Sequence, residues 1–395
     1  MQSGWRIGSL FGIPLLLDSS WFFFFLFVLL TFGYGALWQR ALMAIALLVS
    51  VVLHELGHSL VAKSHGVNVS SITLFLFGGI ASMEQESKTP GQAFQVAIAG
   101  PMVSFVLFLV LLLVYQVLPL PEAIAVLVTD LAGINLVLAL FNMIPGLPLD
   151  GGQVLKAAVW KATGSRMSGV RWAATMGQLL GWAAILYSLI AFVTTLNPTT
   201  LWIALLGWFV VRNASAYSQV NHLQSVLLSL NAANAMNHDY RVVDANLTLH
   251  QFMDRYLLLE ETQLPAFYAA SDGRYRGLVC LDDLGIIERS EWETQTVQAI
   301  VQPLSDIPVV VETTPLVEVI TTLEAKDLRR ITVLSPAGAV SGIIDRGDVV
   351  RAVGEKMKVP IPDTLIQRIK DDGTYPPELP LHTIAQSTLG ELGKS

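Results

Sequence analysis

The chain has 395 residues, of which 53% are hydrophobic and 14% charged, a balance too apolar for an ordinary soluble protein and a length that allows two or three domains. The formal net charge of -7 leaves no basic footprint for nucleic acid, which is not expected as a partner. The one cysteine, Cys280, excludes an internal disulfide framework and fits a reducing compartment.

The opening residues MQSGWRIGSLFGIPLLLDSS lack the charged head, short apolar core and small-residue cleavage site of a secretory signal, so Trp21–Leu37 reads as a retained first span. Further apolar runs at 41–63, 92–118, 124–144, 172–195 and 201–211 approach the roughly 20 residues that a bilayer requires of a helix. The expected fold class is therefore a membrane all-α domain, residues 1–212, with about six transmembrane helices. Between the second and third of them, VNVSSITLFLFGGIASM at 67–83 alternates like a pair of strands. The edge of this small β-hairpin either receives an extended peptide by β-addition or serves as structure alone. Lys156, Lys161, Arg166 and Arg171 follow the fourth span and Arg212 closes the sixth, whereas LPLPE near 120 and NPTT near 198 have no basic residue. That asymmetry places the basic ends, and with them the amino terminus, in the cytoplasm. Arg40, on the expected outer side, runs against the pattern.

The second span carries VVLHELGHSLVAKSHG at 51–66. Ionisable groups within a span cost several kcal/mol and usually mark function. Four residues along a helix return to nearly the same face, so His54 and His58 project together with Glu55 beside them. This HExxH spacing lets two neutral imidazoles bind zinc while the unligated carboxylate takes a proton from the attacking water. The bland alternative is a buried histidine pair with ordinary hydrogen bonds. A catalytic zinc needs a third protein ligand. The extended HExxHxxGxxH pattern fails, because Val61 and Ser64 stand where its glycine and histidine belong. His65 lies beside Gly66, where the helix ends, and reads as an interfacial or capping residue.

The fourth span ends in NLVLALFNMIPGLPLDGGQVL. Asn135 and Asn142 share a face, while Pro145 and Pro148 must break the helix. Unwound backbone at membrane depth persists only where it is buried in protein or lines a wet cavity. Asp150 follows, on the same cytoplasmic side as the end of the second span, and two histidines with one aspartate leave a fourth zinc position open. Alternatively, Asp150 caps the helix that starts at DGGQV.

HELGH at 54–58 and NMIPGLPLDG at 142–151 together resemble the HExxH and NxxPxxxxDG motifs of the site-2 proteases, which are intramembrane zinc metalloproteases. The likeness extends over residues 1–215, with GIPLLLDSSW, FGGIA at 77–81 and AGPMVS at 99–104 similar to accessory parts of that family. The resemblance implies His54, His58 and Asp150 as zinc ligands and Glu55 as general base. Asn142 is then a donor to the substrate or the developing oxyanion, or makes an interhelical hydrogen bond. It further implies a substrate that is a single-span membrane protein, such as an anti-sigma factor or a tethered regulator, often already trimmed by another protease.

The acidity belongs to the second half: residues 1–220 carry 9 basic and 7 acidic side chains, and residues 221–395 carry 15 and 24. Residues 213–233 read as a linker and 234–356 as a soluble α/β repeat, with copies at 234–289 and 294–356 whose endings GRYRGLVCLDDLGII and GAVSGIIDRGDVVRA correspond. Both copies resemble the CBS module, which normally occurs as a pair, can dimerise and often binds an adenine nucleotide between the copies. Asp283 and Asp348 match the ribose-contacting aspartate of that module. The hydroxyl residue usual three positions earlier is Cys280 in one copy and Asp345 in the other, and a carboxylate there repels phosphate. A purely structural pair is the alternative. Residues 357–395, with VPIPD and YPPELPL, read as a mostly extended tail. The expected molecule is a multi-pass zinc endopeptidase of a prokaryotic cell membrane with a cytoplasmic CBS pair. A transporter or channel under CBS control accounts for the buried polar residues but not for the two motifs. An inert relative acting as a membrane chaperone does not need the intact ligand set.

Overall fold

The structure is a computed structural model that describes residues 4–31, 36–75, 78–83, 87–257, 265–376 and 379–392. Residues 32–35 of the expected first span, 76–77 of the hairpin, Phe77 of FGGIA among them, and 258–264 of the first CBS copy lie outside it. The chain divides into two compact units, Met1–Asn221 and His222–Ser395.

The first unit opens with β1 (Trp5–Leu10) and β2 (Ile13–Leu17), followed by α1 (Trp21–Thr31) and α2 (Leu37–Ser64). Then come β3 (Val69–Phe75), β4 (Gly78–Met83), α3 (Pro90–Val117), α4 (Glu122–Asn142), α5 (Asp150–Thr163), α6 (Arg166–Thr195) and α7 (Leu201–Ser229). The hairpin expected at 67–83 is present as β3 and β4, but it is half of a four-stranded sheet of order β1-β2-β3-β4 in which β2 and β3 run parallel. The sequence reading does not anticipate β1 and β2. IPLLL is apolar without alternation because four of its five residues are buried, and Pro14 argues against a strand. One face of the sheet, formed by Ile13, Leu15, Leu17, Ile72 and Leu74, is buried with Val52 and Leu56 of α2. The sheet therefore packs on the helix that carries HELGH.

Among the described residues four helices, α2, α3, α4 and α6, are long and apolar enough to cross a membrane, where the sequence reading expects six spans. The described part of α1 has 11 residues. Helix α7 starts in the apolar run at 201–211 but continues through NASAYSQVNHLQ as one helix of 29 residues, so most of the expected linker at 213–233 is helical. Outward positions on the long helices are apolar, as at Leu109, Val110 and Leu113 of α3 or Leu186, Leu189 and Ile190 of α6, which is what contact with lipid requires. Helix α3 starts where the Thr89 hydroxyl caps Gln92 N and Pro90 opens the first turn, a favoured pairing of cap and first residue. After α4 the backbone unwinds over 143–149, as Pro145 and Pro148 predict, and Leu147 N bonds to Ala173 O of α6 at 3.1 Å.

The second unit takes in the end of α7 and continues with α8 (Ala232–Ala235), β5 (Tyr240–Asp244), α9 (Leu249–Phe252), β6 (Ala266–Ser271), β7 (Arg274–Val279) and α10 (Leu281–Leu284). A corresponding series follows: β8 (Val301–Pro303), β9 (Val309–Val311), α11 (Leu316–Ala325), β10 (Arg330–Leu334), β11 (Val340–Asp345) and α12 (Arg346–Met357). The copies exchange their first extended segments. β8 completes the sheet β5-β6-β7-β8, and Asn237 bridges to Ile343 of β11 in the sheet β11-β10-β9. Ala266, Tyr268, Val340 and Ile343 form a buried cluster drawn from both copies, with Tyr268 bonded to Thr332 at 2.7 Å.

The expectation of an extended tail is corrected. Residues 357–395 contain α13 (Asp363–Asp372) and α14 (Leu381–Leu392), which bury Ile369, Leu381 and Ala385 in the core of the second copy. The prolines that suggest extension frame a short amphipathic helix, because Ile366 and Ile369 stand three apart among charged residues and reach one face.

Candidate metal centre

In α2 the four-residue spacing brings His54 Nε2 and His58 Nε2 to 3.3 Å. Asp150 Oδ2 lies 3.0 Å from the first and 3.3 Å from the second. Asp150 is the first residue of α5 and not its cap, a place taken by Leu149 without a side-chain bond, so its carboxylate is free to reach across to α2. Among the described residues these three form the group able to hold a metal ion. Their separations suit one: a tetrahedral zinc with bonds of about 2.0 Å has ligand-to-ligand edges of about 3.3 Å.

Two glycines allow the approach. A side chain at Gly57 would meet Val103 Cγ2 at 2.8 Å and Ala99 O at 3.0 Å, so this glycine brings α2 against α3. A Cβ at Gly100 would overlap the Nε2 atoms of both histidines, which keeps the space at the three donors clear.

The other ring nitrogens are held by α3. His58 Nδ1 stands 2.6 Å from Val96 O and His54 Nδ1 2.8 Å from Ser104 Oγ. A carbonyl only accepts, so His58 carries a hydrogen on Nδ1, and its neutral ring has the lone pair on Nε2, the nitrogen that faces Asp150 and His54. Val96, Gly100 and Ser104 recur every four residues along one stripe of α3, and sequence reasoning missed Val96 and Ser104. A backbone carbonyl leaves no sequence signal. The serine in AGPMVS is a signal, because a hydroxyl one turn from a glycine faces the same neighbour.

Asn142 Nδ2 lies 3.4 Å from His54 Nε2, at the edge of the group. Asn135 is fully buried and bonds Ser50 Oγ at 3.0 Å and Leu131 O at 2.9 Å, so it joins α4 to α2. His65 stands at the exposed end of α2 with Gln95 Oε1 at 2.7 Å, apart from the donors. The Glu55 carboxyl packs on β4: a Cβ at Gly79 would meet its Cδ at 2.9 Å and Oε1 at 3.1 Å. The outer strand of the sheet thus runs beside the carboxylate.

The two aspartates that the sequence matches to the CBS module differ in their surroundings. Asp283 is exposed. The Asp348 side chain is 1% exposed and meets Lys370 Nζ of α13 at 2.8 Å, while the same amine lies 3.0 Å from Asp345 Oδ2. Asn237 Nδ2 and the Asp345 backbone N–H also donate to Asp348. Burial and the neighbouring Asp345 carboxylate raise the Asp348 pKa. Burial would lower the Lys370 amine, but the two carboxylates outweigh it and hold the amine above the usual lysine range.

The profile of Peptidase family M50 matches residues 42–131 and 120–184, and the CBS domain profile matches 297–355. Two similar relatives carry zinc metalloprotease in their names. One is sll0528 of Synechocystis sp., 37% identical over 89% of this chain and 96% of the relative. The other is MJ0392 of Methanocaldococcus jannaschii, 31% identical over 88% and 95%. Among solved structures, a site-2 protease from M. jannaschii is 32% identical over 54% of this chain and 95% of that chain, with a TM-score of 0.44.

Proposed function

The chain belongs to peptidase family M50, the site-2 type of membrane zinc metalloprotease with a CBS domain, and on that premise we propose that it cuts within the membrane segment of a tethered, single-span protein. The observation that carries this reading is the convergence of His54, His58 and Asp150 inside a bundle of apolar helices, with Glu55 beside an outer strand. His54, His58 and Asp150 would hold the ion. When bound, zinc supplies Lewis acidity, which polarises a scissile carbonyl and brings the pKa of water towards neutrality. Glu55 accepts the proton of the attacking water and returns it to the leaving amine. Asn142 donates from Nδ2 to the substrate carbonyl oxygen as charge develops there. A helical substrate hides its carbonyls in internal hydrogen bonds, so it must unwind, and β4, the outer strand of the described sheet, offers it main-chain partners. A transporter would need none of these groups.

The experiment that tests the substrate class compares membrane-protein fragments in cells carrying the native chain or its Glu55→Gln form. Uncut single-span stubs should accumulate with the variant. A cleaved pool confined to soluble proteins would refute the reading.

Lys156 and Lys161 lie in α5, and Arg166 and Arg171 in the first two turns of α6, and we place this segment and the CBS pair in the cytoplasm of a prokaryotic cell. Reporter tags at residue 160 and after Ser229 should then be internal and a tag at Pro198 external. The reverse pattern would overturn the orientation.

The CBS pair is proposed to regulate cleavage, with an adenosine-type ligand bound at the first copy alone. Asp283 is open to solvent, whereas the second copy gives its aspartate to Lys370 of the same chain. A coupling of about 1 to 3 kcal/mol would change activity roughly 5- to 150-fold. Calorimetric titration of AMP into the full chain in detergent should give weak binding that Asp283→Ala removes. Binding that survives Asp283→Ala, or none to the native chain, would dismiss the first-copy site.

A further inference from the structure

We propose that Ser104 is the positioning residue that makes His54 a metal ligand, an inference that rests on the zinc reading above and adds to it the group that selects the ring nitrogen. The two histidines are oriented by different means. His58 Nδ1 faces Val96 O at 2.6 Å, and a carbonyl oxygen admits one tautomer of the neutral ring, with the hydrogen on Nδ1 and the lone pair on Nε2. His54 Nδ1 faces the Ser104 hydroxyl at 2.8 Å, and a hydroxyl can donate or accept. If it donated, the His54 hydrogen would sit on Nε2, aimed at Asp150 Oδ2 at 3.0 Å, and no lone pair would be left for an ion. The ligating arrangement requires Ser104 Oγ to accept from Nδ1–H.

Ser104 is fully buried and His54 is 3% exposed, so water does not replace the hydroxyl readily. Loss of the acceptor would leave Nδ1–H unpaired inside the protein and the ring free to turn. Gly100, one turn earlier on the same stripe, holds the backbone of α3 close to both Nε2 atoms, and Ser104 is thus within reach of the far side of the His54 ring. Partners of this kind on the outer nitrogen of a ligating histidine typically change metal affinity 10- to 100-fold.

A control lies on the neighbouring helix. Ser59 follows His58 in α2, is equally buried, and its Oγ has no hydrogen-bond partner among the described residues. Ser59→Ala removes a buried hydroxyl and no hydrogen bond to either ring.

The experiment measures zinc affinity of the full-length protein in detergent by competition with a chelator, for the native chain and for Ser104→Ala, Ser59→Ala and His54→Ala. Cobalt is loaded in parallel, and the visible spectrum reports the donor geometry. Ser104→Ala should bind zinc about 10- to 100-fold more weakly with an altered cobalt spectrum, while Ser59→Ala matches the native chain in both. Native affinity and spectrum in Ser104→Ala would overturn the inference, as would an equal loss in Ser59→Ala, which would mean that any buried hydroxyl matters. Native zinc affinity in His54→Ala would instead overturn the zinc reading on which the inference rests.

Discussion

Glu55→Gln is expected to reduce peptide-bond hydrolysis by about 10²- to 10⁴-fold, the usual contribution of a positioned general base, while the protein keeps its zinc. The amide has nearly the shape of the carboxylate and fits the space beside Gly79, where a side chain on the strand would meet Glu55 Oε1 at 3.1 Å. It cannot accept the proton of the attacking water. The metal should stay because the three side chains able to hold it are those of His54, His58 and Asp150, and none of them is changed. Cleavage of a membrane-tethered reporter and zinc content, measured on the same preparation, check both halves. A variant that loses its zinc would show that Glu55 belongs to the donor group, and one that cleaves at the native rate would remove it from the chemistry.

The part of the site legible in sequence is the part written as spacing. Two histidines four positions apart mean one helical face, and two prolines after an apolar run mean unwound backbone, whatever lies around them. Asp150 needed more, a topology that puts the ends of two spans on one side. What stayed hidden was supplied by neighbours whose register no local pattern encodes. Val96 contributes a carbonyl, which every residue has. Gly100 and Gly79 contribute the absence of a side chain at one point of contact.

The fold follows the same division. Alternation revealed β3 and β4, but β2 is buried on both sides and its IPLLL reads like any apolar stretch. Six apolar runs look alike by hydropathy, although α7 carries its helix far beyond the apolar part, to Ser229. In the second unit the correspondence of two chain segments was visible, and their exchanged edge segments were not, since a pairing between Val279 and Val301 depends on how the copies face each other. Lys370 was hidden because a proline-framed segment suggests extension, whereas Ile366 and Ile369 needed an apolar surface to fold upon.

The central claim is that two histidines of one helix and an aspartate 96 positions from the first of them hold one ion. Asp150→Ala puts it to the hardest test, because the substitution removes the ligand that sequence supports least directly and leaves HELGH intact. It deletes an oxygen that sits 3.0 and 3.3 Å from the two Nε2 atoms, and a catalytic zinc reduced to two protein ligands is held far more weakly. The same substitution removes no cap, since Leu149 occupies the cap of α5 without a side-chain bond, so helix loss does not confuse the reading. His65→Ala, whose ring meets Gln95 at the exposed end of α2, serves as the comparison. The measurement is zinc per chain, by elemental analysis of protein purified in detergent and dialysed against a weak chelator. About one zinc per chain is expected for the native protein and for His65→Ala, with a small fraction of that for Asp150→Ala. A full complement of zinc in Asp150→Ala would contradict the account.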